Sequence, residues 1–432
     1  MAQSILELAD DVWTGAALLN DLRRYPPGHV EEVAPGVRMS PGFGHAFLVE
    51  TGDGLVMYDT GPRETAQALH DGVRAWTDAP VTHGVYTHGH LDHVYGMVPF
   101  DEEAEATGRP RPIVVAHENV NARFDRYDLT KGYNTVINQR QFRNLDLVWP
   151  EYYRRPDITY SDQYQLTVSG TEFQLRHALG ETDDHTLGYL PDRKILFAGD
   201  LFLFVSPNAG NPQKVQRYPV EWAAALRWMA GLGAELMLPS HGVPVQGADR
   251  IREALETTAA YLESLVEQTL AVMNAGGRLS DALATVRVPD ELAAKPYLQP
   301  VYDEPEFVVR NIWRLYGGWY DGDPAALKPA QPDVLARALA QLAGGAARLA
   351  DAAADALRAG DLRLAGHLAQ LAVDAAPEDP ALHRIRAEVF AARGKAEKST
   401  MARGIFRWAA LESRTAAGEA VEEGLGRPAA SL

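Results

Sequence analysis

Thr87-His88-Gly89-His90-Leu91-Asp92-His93 places four side chains able to bind a metal within six residues. Two histidines separated by one residue on an extended segment project to the same side, so His88 and His90 can share one ion. The adjacent Asp92 and His93 can reach a second. A polar loop that merely happened to be His-rich would have no partners elsewhere, whereas here candidate partners recur downstream in order. Gly180-Glu181-Thr182-Asp183-Asp184-His185 follows a predicted strand, Gly199-Asp200 ends another over residues 195–198, and Ser240-His241-Gly242 ends a third over 235–238. Earlier, Asp59-Thr60-Gly61 closes the run Leu55-Val56-Met57-Tyr58, and its carboxylate is placed to brace the His loop rather than to bind metal.

The surroundings of these clusters predict a layered α/β domain from about residue 40 to 245. Phe47-Leu48-Val49-Glu50 and Leu55-Val56-Met57-Tyr58 flank Thr51-Gly52-Asp53-Gly54, the pattern of a β-hairpin. Further strands are predicted over 81–87, 113–116, 165–168 and 173–175. Each strong polar cluster falls just after a strand, where a rigid sheet can hold functional loops. Beyond Gly247 a long helix is predicted from Arg250 to Met273, then a Pro-punctuated link over 288–306. From about 307 the chain reads as Ala-rich helical hairpins of tetratricopeptide-like character, without a strict repeat. Leu335, Leu339 and Leu342, then Leu364, Leu368 and Leu371, recur at helical spacing and are expected to be packing faces. The resulting division is a catalytic domain over 1–250, a helical linker over 251–306, a helical domain over 307–415 and a tail over 416–432.

Composition narrows the chemistry. With 58 acidic and 41 basic residues the formal charge is −17, which disfavours nucleic acid and anionic membranes as partners. The absence of cysteine removes disulfides, thiolate metal sites and a cysteine nucleophile, leaving His and carboxylates as ligands. No secretory signal or bilayer-spanning run is present, so a soluble cytoplasmic protein is expected.

The ordered set from His88 to His241 resembles the metallo-β-lactamase superfamily over roughly residues 30–250. That resemblance implies an αββα sandwich with His88 and His90 on one zinc, Asp92, His93 and His241 on the other, and Asp200 bridging both. Most superfamily members carry a His about nineteen residues before the bridging Asp, in a Gly-His-Thr turn; this chain has Glu181, nineteen residues before Asp200. A Glu there is the habit of the alkylsulfatase branch, which however uses Glu where this chain has Asp200. A second segment, Asn311-Ile312-Trp313-Arg314-Leu315-Tyr316-Gly317-Gly318-Trp319-Tyr320, looks like the opening of the alkylsulfatase dimerisation domain and implies a homodimer. Without the resemblance, this aromatic cluster reads as buried helix packing. The branch's additional sterol carrier protein 2-like domain has no counterpart here, so short or branched alkyl sulfates are the expected substrates.

Two divalent cations a few ångströms apart lower the pKa of a shared water enough to supply hydroxide near neutral pH. A dinuclear zinc hydrolase of small anionic sulfate esters using a bridging hydroxide is therefore expected, with manganese or iron possible in place of zinc. The alternative is a hydrolase of another ester, such as a lactone, carboxylic ester or phosphodiester, and a non-enzymatic helical scaffold is a third reading. Asp92, His185 and Asp200 are the catalytic candidates. His185 could replace Glu181 as ligand, donate a proton to the leaving oxygen, or brace the site. Asp184 is either part of a solvated acidic turn or a brace. Asn208 falls at a family Asn, and Lys214 and Arg217 stand in for an expected Arg, so these three are substrate-binding candidates. Tyr133 and Arg140, after Lys131-Gly132, either line a substrate pocket, as in sulfatase-like relatives, or belong to a surface loop.

Overall fold

The computed structural model describes residues 3–419. Its first sheet has seven strands in sequential order: β1 (Glu31–Ala34), β2 (Val37–Ser40), β3 (Ala46–Thr51), β4 (Gly54–Thr60), β5 (Val81–Val85), β6 (Ile113–His117) and β7 (Ile158–Tyr160). The second runs in reverse order from β13 (Val245–Gln246) through β12 (Leu236–Pro239), β11 (Ile195–Gly199), β10 (Thr186–Leu190) and β9 (Thr171–His177) to β8 (Gln163–Val168). Phe47, Val56 and Tyr58 of the first sheet meet Phe173, Leu175 and Phe197 of the second in one apolar layer. The rings of Tyr58 and Phe197 stack there at 4.4 Å. Helices cover both outer faces, giving the αββα sandwich the sequence predicts. A central strand in such a stack is buried on both sides, which is why β4 and β11 read as unbroken apolar runs while the edge strand β8 alternates.

The expected hairpin is β3 and β4, paired in antiparallel register from Ala46↔Thr60 to Thr51↔Gly54. Five strands had no clear signal. Among them, β10 holds Gly188, where a Cβ would lie 2.6 Å from the Tyr58 ring of the facing sheet, so the residue that makes room for that ring is also a weak strand former.

Two features mark the region after 250. Within the expected helical linker over 251–306, Leu255, Leu262, Tyr297 and Leu298 are buried in the same outer apolar cluster as Trp222 and Leu226, on the second sheet's outer side. In the later helices, Pro332–Ala343 and Leu362–Ala375, the buried stripe is Ala336 and Ala340, then Ala365, Ala369 and Ala372. Leu335, Leu342 and Leu364 point outward, exposed by 49%, 85% and 48%. Small alanine faces let these helices approach closely; Leu368 and Leu371 pack beside them, while those three leucines lie on the outer surface of the single chain. The aromatic cluster splits likewise: Trp313 is buried and donates to the Tyr320 carbonyl, while Tyr316, Trp319 and Tyr320 are exposed. The last helix ends at Ala416, and residues 420–432 of the expected tail lie outside the described residues.

That last helix, Thr400–Ala416, packs on the long helix Asn119–Phe142, and Gly404 sits directly against the Gln141 carbonyl. A Cβ there has no room between two backbones. Gly404→Ala is expected to destabilise the protein by about 1–3 kcal/mol, read as a lower urea midpoint.

Candidate metal centre

All ligand-competent loops leave strand ends at one edge of the sandwich. The chain after β5 brings His88 and His90, the short helix Leu91–Val94 brings Asp92 and His93, the β9–β10 turn brings Glu181, and the ends of β11 and β12 bring Asp200 and His241. Two clusters result: His88, His90, Glu181 and Asp200 in one, Asp92, His93 and His241 in the other. Asp200 faces both, with Oδ2 3.7 Å from His88 Nε2 and Oδ1 3.7 Å from His93 Nε2 and 3.4 Å from His241 Nε2.

The ring orientations follow from the braces behind them. Asp59, fully buried at the end of β4, accepts the Thr87 amide at 2.8 Å, the Thr87 hydroxyl at 2.9 Å, the Ser240 hydroxyl at 2.5 Å and His93 Nδ1 at 2.9 Å. One carboxylate thus ties together three of the loops. Its grip on His93 Nδ1 turns Nε2 inward. Thr87 Oγ1 accepts His88 Nδ1 at 2.9 Å with the same consequence. Asp184 accepts the Gly89 amide at 3.0 Å and is clamped by Arg123 at 2.6 and 2.8 Å, so this buried residue is a brace and not a solvated turn.

The donor set fits divalent metal on observations within the site. Nitrogen and oxygen donors about 2.0–2.1 Å from a tetrahedral zinc lie about 3.4 Å from each other. Here His90 Nδ1 and Glu181 Oε2 are 3.5 Å apart, His88 Nε2 and Glu181 Oε2 3.6 Å, and His241 Nε2 and Asp92 Oδ2 3.3 Å. His93 Nε2, Glu181 Oε2 and Asp200 Oδ1 are buried without a hydrogen-bond partner. Burial, with Arg217 only partly opposing it, pushes the Glu181 carboxyl up to about 7. Burial and the neighbouring imidazoles of His93 and His90 drive His88 well below its ordinary value, toward the neutral form that binds metal.

A cavity of about 270 Å³ opens over these clusters. Asn208, Lys214 and Arg217 line it. Asn208 Nδ2 donates to Glu181 Oε1, and Arg217 Nη1 contacts both that oxygen at 2.6 Å and the Glu181 carbonyl at 2.7 Å. Arg217 is therefore committed to holding Glu181. Lys214 donates to Asn138 Oδ1 at 3.3 Å, and burial, with the nearby Arg217 charge, lowers its amine to about 8.

Three expected site residues stand elsewhere. His185 accepts the Asp200 amide at Nε2, 3.0 Å away, and is fully buried off the cavity wall, the placement of a brace behind Asp200. Tyr133 and Arg140 are on neither a loop nor the cavity wall. Residues 119–142 form a helix interrupted by non-helical angles at Thr130, with Asn134, Asn138 and Gln141 turned inward at i, i+4, i+7. Tyr133, 60% exposed, lies on the opposite face with Val136, and Arg140 reaches Gln213 instead. Wall residues without any motif include Phe43, Phe142, Trp149, Leu203 and Tyr302. Nothing in their local sequence marks them, because they converge from separate elements.

Comparison with known proteins agrees with this architecture. Residues 39–241 match the metallo-beta-lactamase superfamily model and residues 278–416 the alkyl sulfatase dimerisation model. The chain thus combines a metallo-beta-lactamase domain with an alkyl sulfatase dimerisation domain. It is 28% identical over 393 residues to a linear primary-alkylsulfatase of a Pseudomonas strain, covering 84% of this chain and 73% of that one. It is 26% identical to an (R)-specific secondary-alkylsulfatase of Pseudomonas, covering 85% of this chain but 59% of the relative. The structure of the stereoselective inverting sec-alkylsulfatase Pisa1 from Pseudomonas superposes with a TM-score of 0.81 at 24% identity, over 90% of this chain and 66% of that one. Several relatives thus extend well beyond the length matched here.

Proposed function

We propose that this chain hydrolyses sulfate esters of small alkyl groups with two divalent metals, zinc above manganese or iron. The observation that carries the reading is Asp200 shared between two inward-facing ligand clusters at the floor of a cavity with one buried lysine and apolar walls. When bound, two such ions supply Lewis acidity and a water acidified into the neutral range. The chain's own residues do the rest. His88, His90, Glu181 and Asp200 would hold one ion, and Asp92, His93, His241 and Asp200 the other. Lys214 and the amide of Asn208 offer charge and hydrogen bonds to the ester's anionic oxygens. Arg217 opposes the upward push of burial on the Glu181 carboxyl and aims it by contacting both its carboxylate and its carbonyl. Phe142, Trp149, Leu203 and Val205 present an apolar wall that excludes water and receives the alkyl part. The outward leucines of the matched dimerisation segment suit pairing with a second copy. Among the described residues no helix is long and apolar enough to cross a membrane.

A panel of alkyl sulfates, aryl sulfates, lactones, carboxylic esters and phosphodiesters, tested on metal-replete protein, decides the substrate. Sulfate release from short alkyl sulfates is expected; turnover of another ester without any sulfate release overturns the assignment. His90→Ala removes a donor 2.8 Å from His88 Nε2 and 3.5 Å from Glu181 Oε2. Its metal content, by elemental analysis, is expected to fall from two ions per chain toward one, with turnover at least about a hundredfold lower.

A further inference from the structure

Asn208, Lys214 and Arg217 all lie on one stretch between β11 and the helix Pro219–Ala230 that belongs to neither strand nor helix. Such a segment needs partners for its backbone amides and carbonyls from outside itself. Two buried side chains, from well beyond the sandwich strands, supply them. Asp303, fully buried, accepts the Gly210 amide at 2.5 Å and the Asn211 amide at 3.3 Å through Oδ2. Its carbonyl accepts the Ser206 hydroxyl at 3.2 Å, and the nearby Gln299 carbonyl accepts the Ser206 amide at 3.0 Å. At the other end Asn311 Oδ1 accepts the Arg217 amide at 3.4 Å and Gln216 Nε2 at 2.9 Å, while its Nδ2 donates to the Arg217 carbonyl at 3.1 Å. Gly210 lies against the backbone of Phe307 and Val308 with no space for a Cβ, so loop and segment 303–311 meet closely.

We propose that Asp303 and Asn311 are positioning residues that hold the middle and the C-terminal end of the 206–217 loop and thereby set the grip of Asn208 and Lys214 on the substrate's anionic group. The region that follows the sandwich then completes the substrate site and does more than join subunits. Neither residue is among the metal-binding candidates, so their loss weakens anion binding directly and reaches the metal site only through the contacts of Asn208 and Arg217 with Glu181.

The test compares Asp303→Ala, Asp303→Asn and Asn311→Ala with the wild-type chain, all metal-loaded. The choice of inorganic sulfate as probe rests on the sulfate-ester reading. Its dissociation constant, by calorimetry, is expected to rise about tenfold in the two alanine variants, the effect of losing a hydrogen bond to a charged acceptor or an equivalent anchoring pair. Asp303→Asn keeps a carbonyl oxygen for the Gly210 amide and is expected to recover most of the affinity. Ions per chain are measured for each variant, and sulfate affinities are compared at equal metal loading. Where Asp303→Ala does not fold, Asn311→Ala, at the C-terminal end of the loop, carries the comparison. Sulfate affinity within twofold of wild type in a folded, metal-loaded alanine variant overturns the proposal. If the wild-type chain binds no sulfate, the sulfate-ester reading falls and hydrogen exchange of the 205–218 amides decides the clamp by itself. Exchange about tenfold faster in the variants supports it, and unchanged exchange overturns it.

Discussion

Asp200→Ala is expected to abolish turnover, with a fall of at least about a thousandfold on any ester the wild-type protein hydrolyses. The reason is geometric. Its two carboxylate oxygens face different clusters, Oδ2 toward His88 and Oδ1 toward His93 and His241, so one substitution removes a donor from both. Loss of any other candidate ligand affects one cluster. Elemental analysis should show fewer than two ions per chain, and circular dichroism an unchanged fold, since Asp200 lies at a strand end and outside the apolar layers. Activity within tenfold of wild type would show that the two clusters do not act as one centre.

Arg123→Ala is expected to cause the largest loss of stability. Arg123 is 2% exposed and reaches Asp184 through Nε at 2.6 Å and Nη2 at 2.8 Å, with Asp183 at 2.6 Å as well. Removing it strands the fully buried Asp184 carboxylate, at a cost of about 3–5 kcal/mol, measured as a lower urea midpoint at neutral pH. The same pair predicts a pH dependence. Burial would raise the Asp184 carboxyl, but the Arg123 guanidinium overrides this and holds it at about 2, below its ordinary 3.8. A depressed folded-state pKa stabilises the fold fully above the unfolded value and loses that contribution as pH falls through the folded one. The wild-type chain should therefore lose about 2 kcal/mol from this group between pH 5 and pH 2. In Arg123→Ala that acid-sensitive component should disappear, because the unpaired carboxyl no longer titrates low. Because Asp184 also accepts the Gly89 amide, the variant should lose activity as the His88–His90 turn loosens.

The chemistry-bearing part of the chain was readable because it is local. Four candidate ligands fall in six residues, Glu181, Asp200 and His241 each follow a predicted strand, and the resemblance to the metallo-β-lactamase superfamily implied that they meet at one edge of the sheets. The braces were only partly legible. Asp59 stood at a strand end, but that one carboxylate reaches Thr87, His93 and Ser240 depends on three loops converging in space. His185 was ambiguous for the same reason, since its role is fixed by the Asp200 amide behind it. The cavity wall left no trace, because Phe43, Trp149 and Tyr302 come from distant segments. The helix over 119–142 was hidden by Lys131-Gly132 and by the break at Thr130, and missing it left Tyr133 and Arg140 open between a pocket wall and a surface loop. In the helical region the leucine periodicity was real. The nearer packing face was alanine, with Leu368 and Leu371 beside it, and periodicity does not say which part of an apolar stripe meets the neighbouring helix and which stays exposed.

Release of inorganic sulfate from a short alkyl sulfate, followed while zinc is added back to chelator-treated protein, tests the dinuclear sulfatase reading most directly. Sulfate release should be absent without metal, climb with added zinc and level off at two equivalents per chain. Full sulfate release from the metal-free protein, or no release at two bound equivalents, would contradict it.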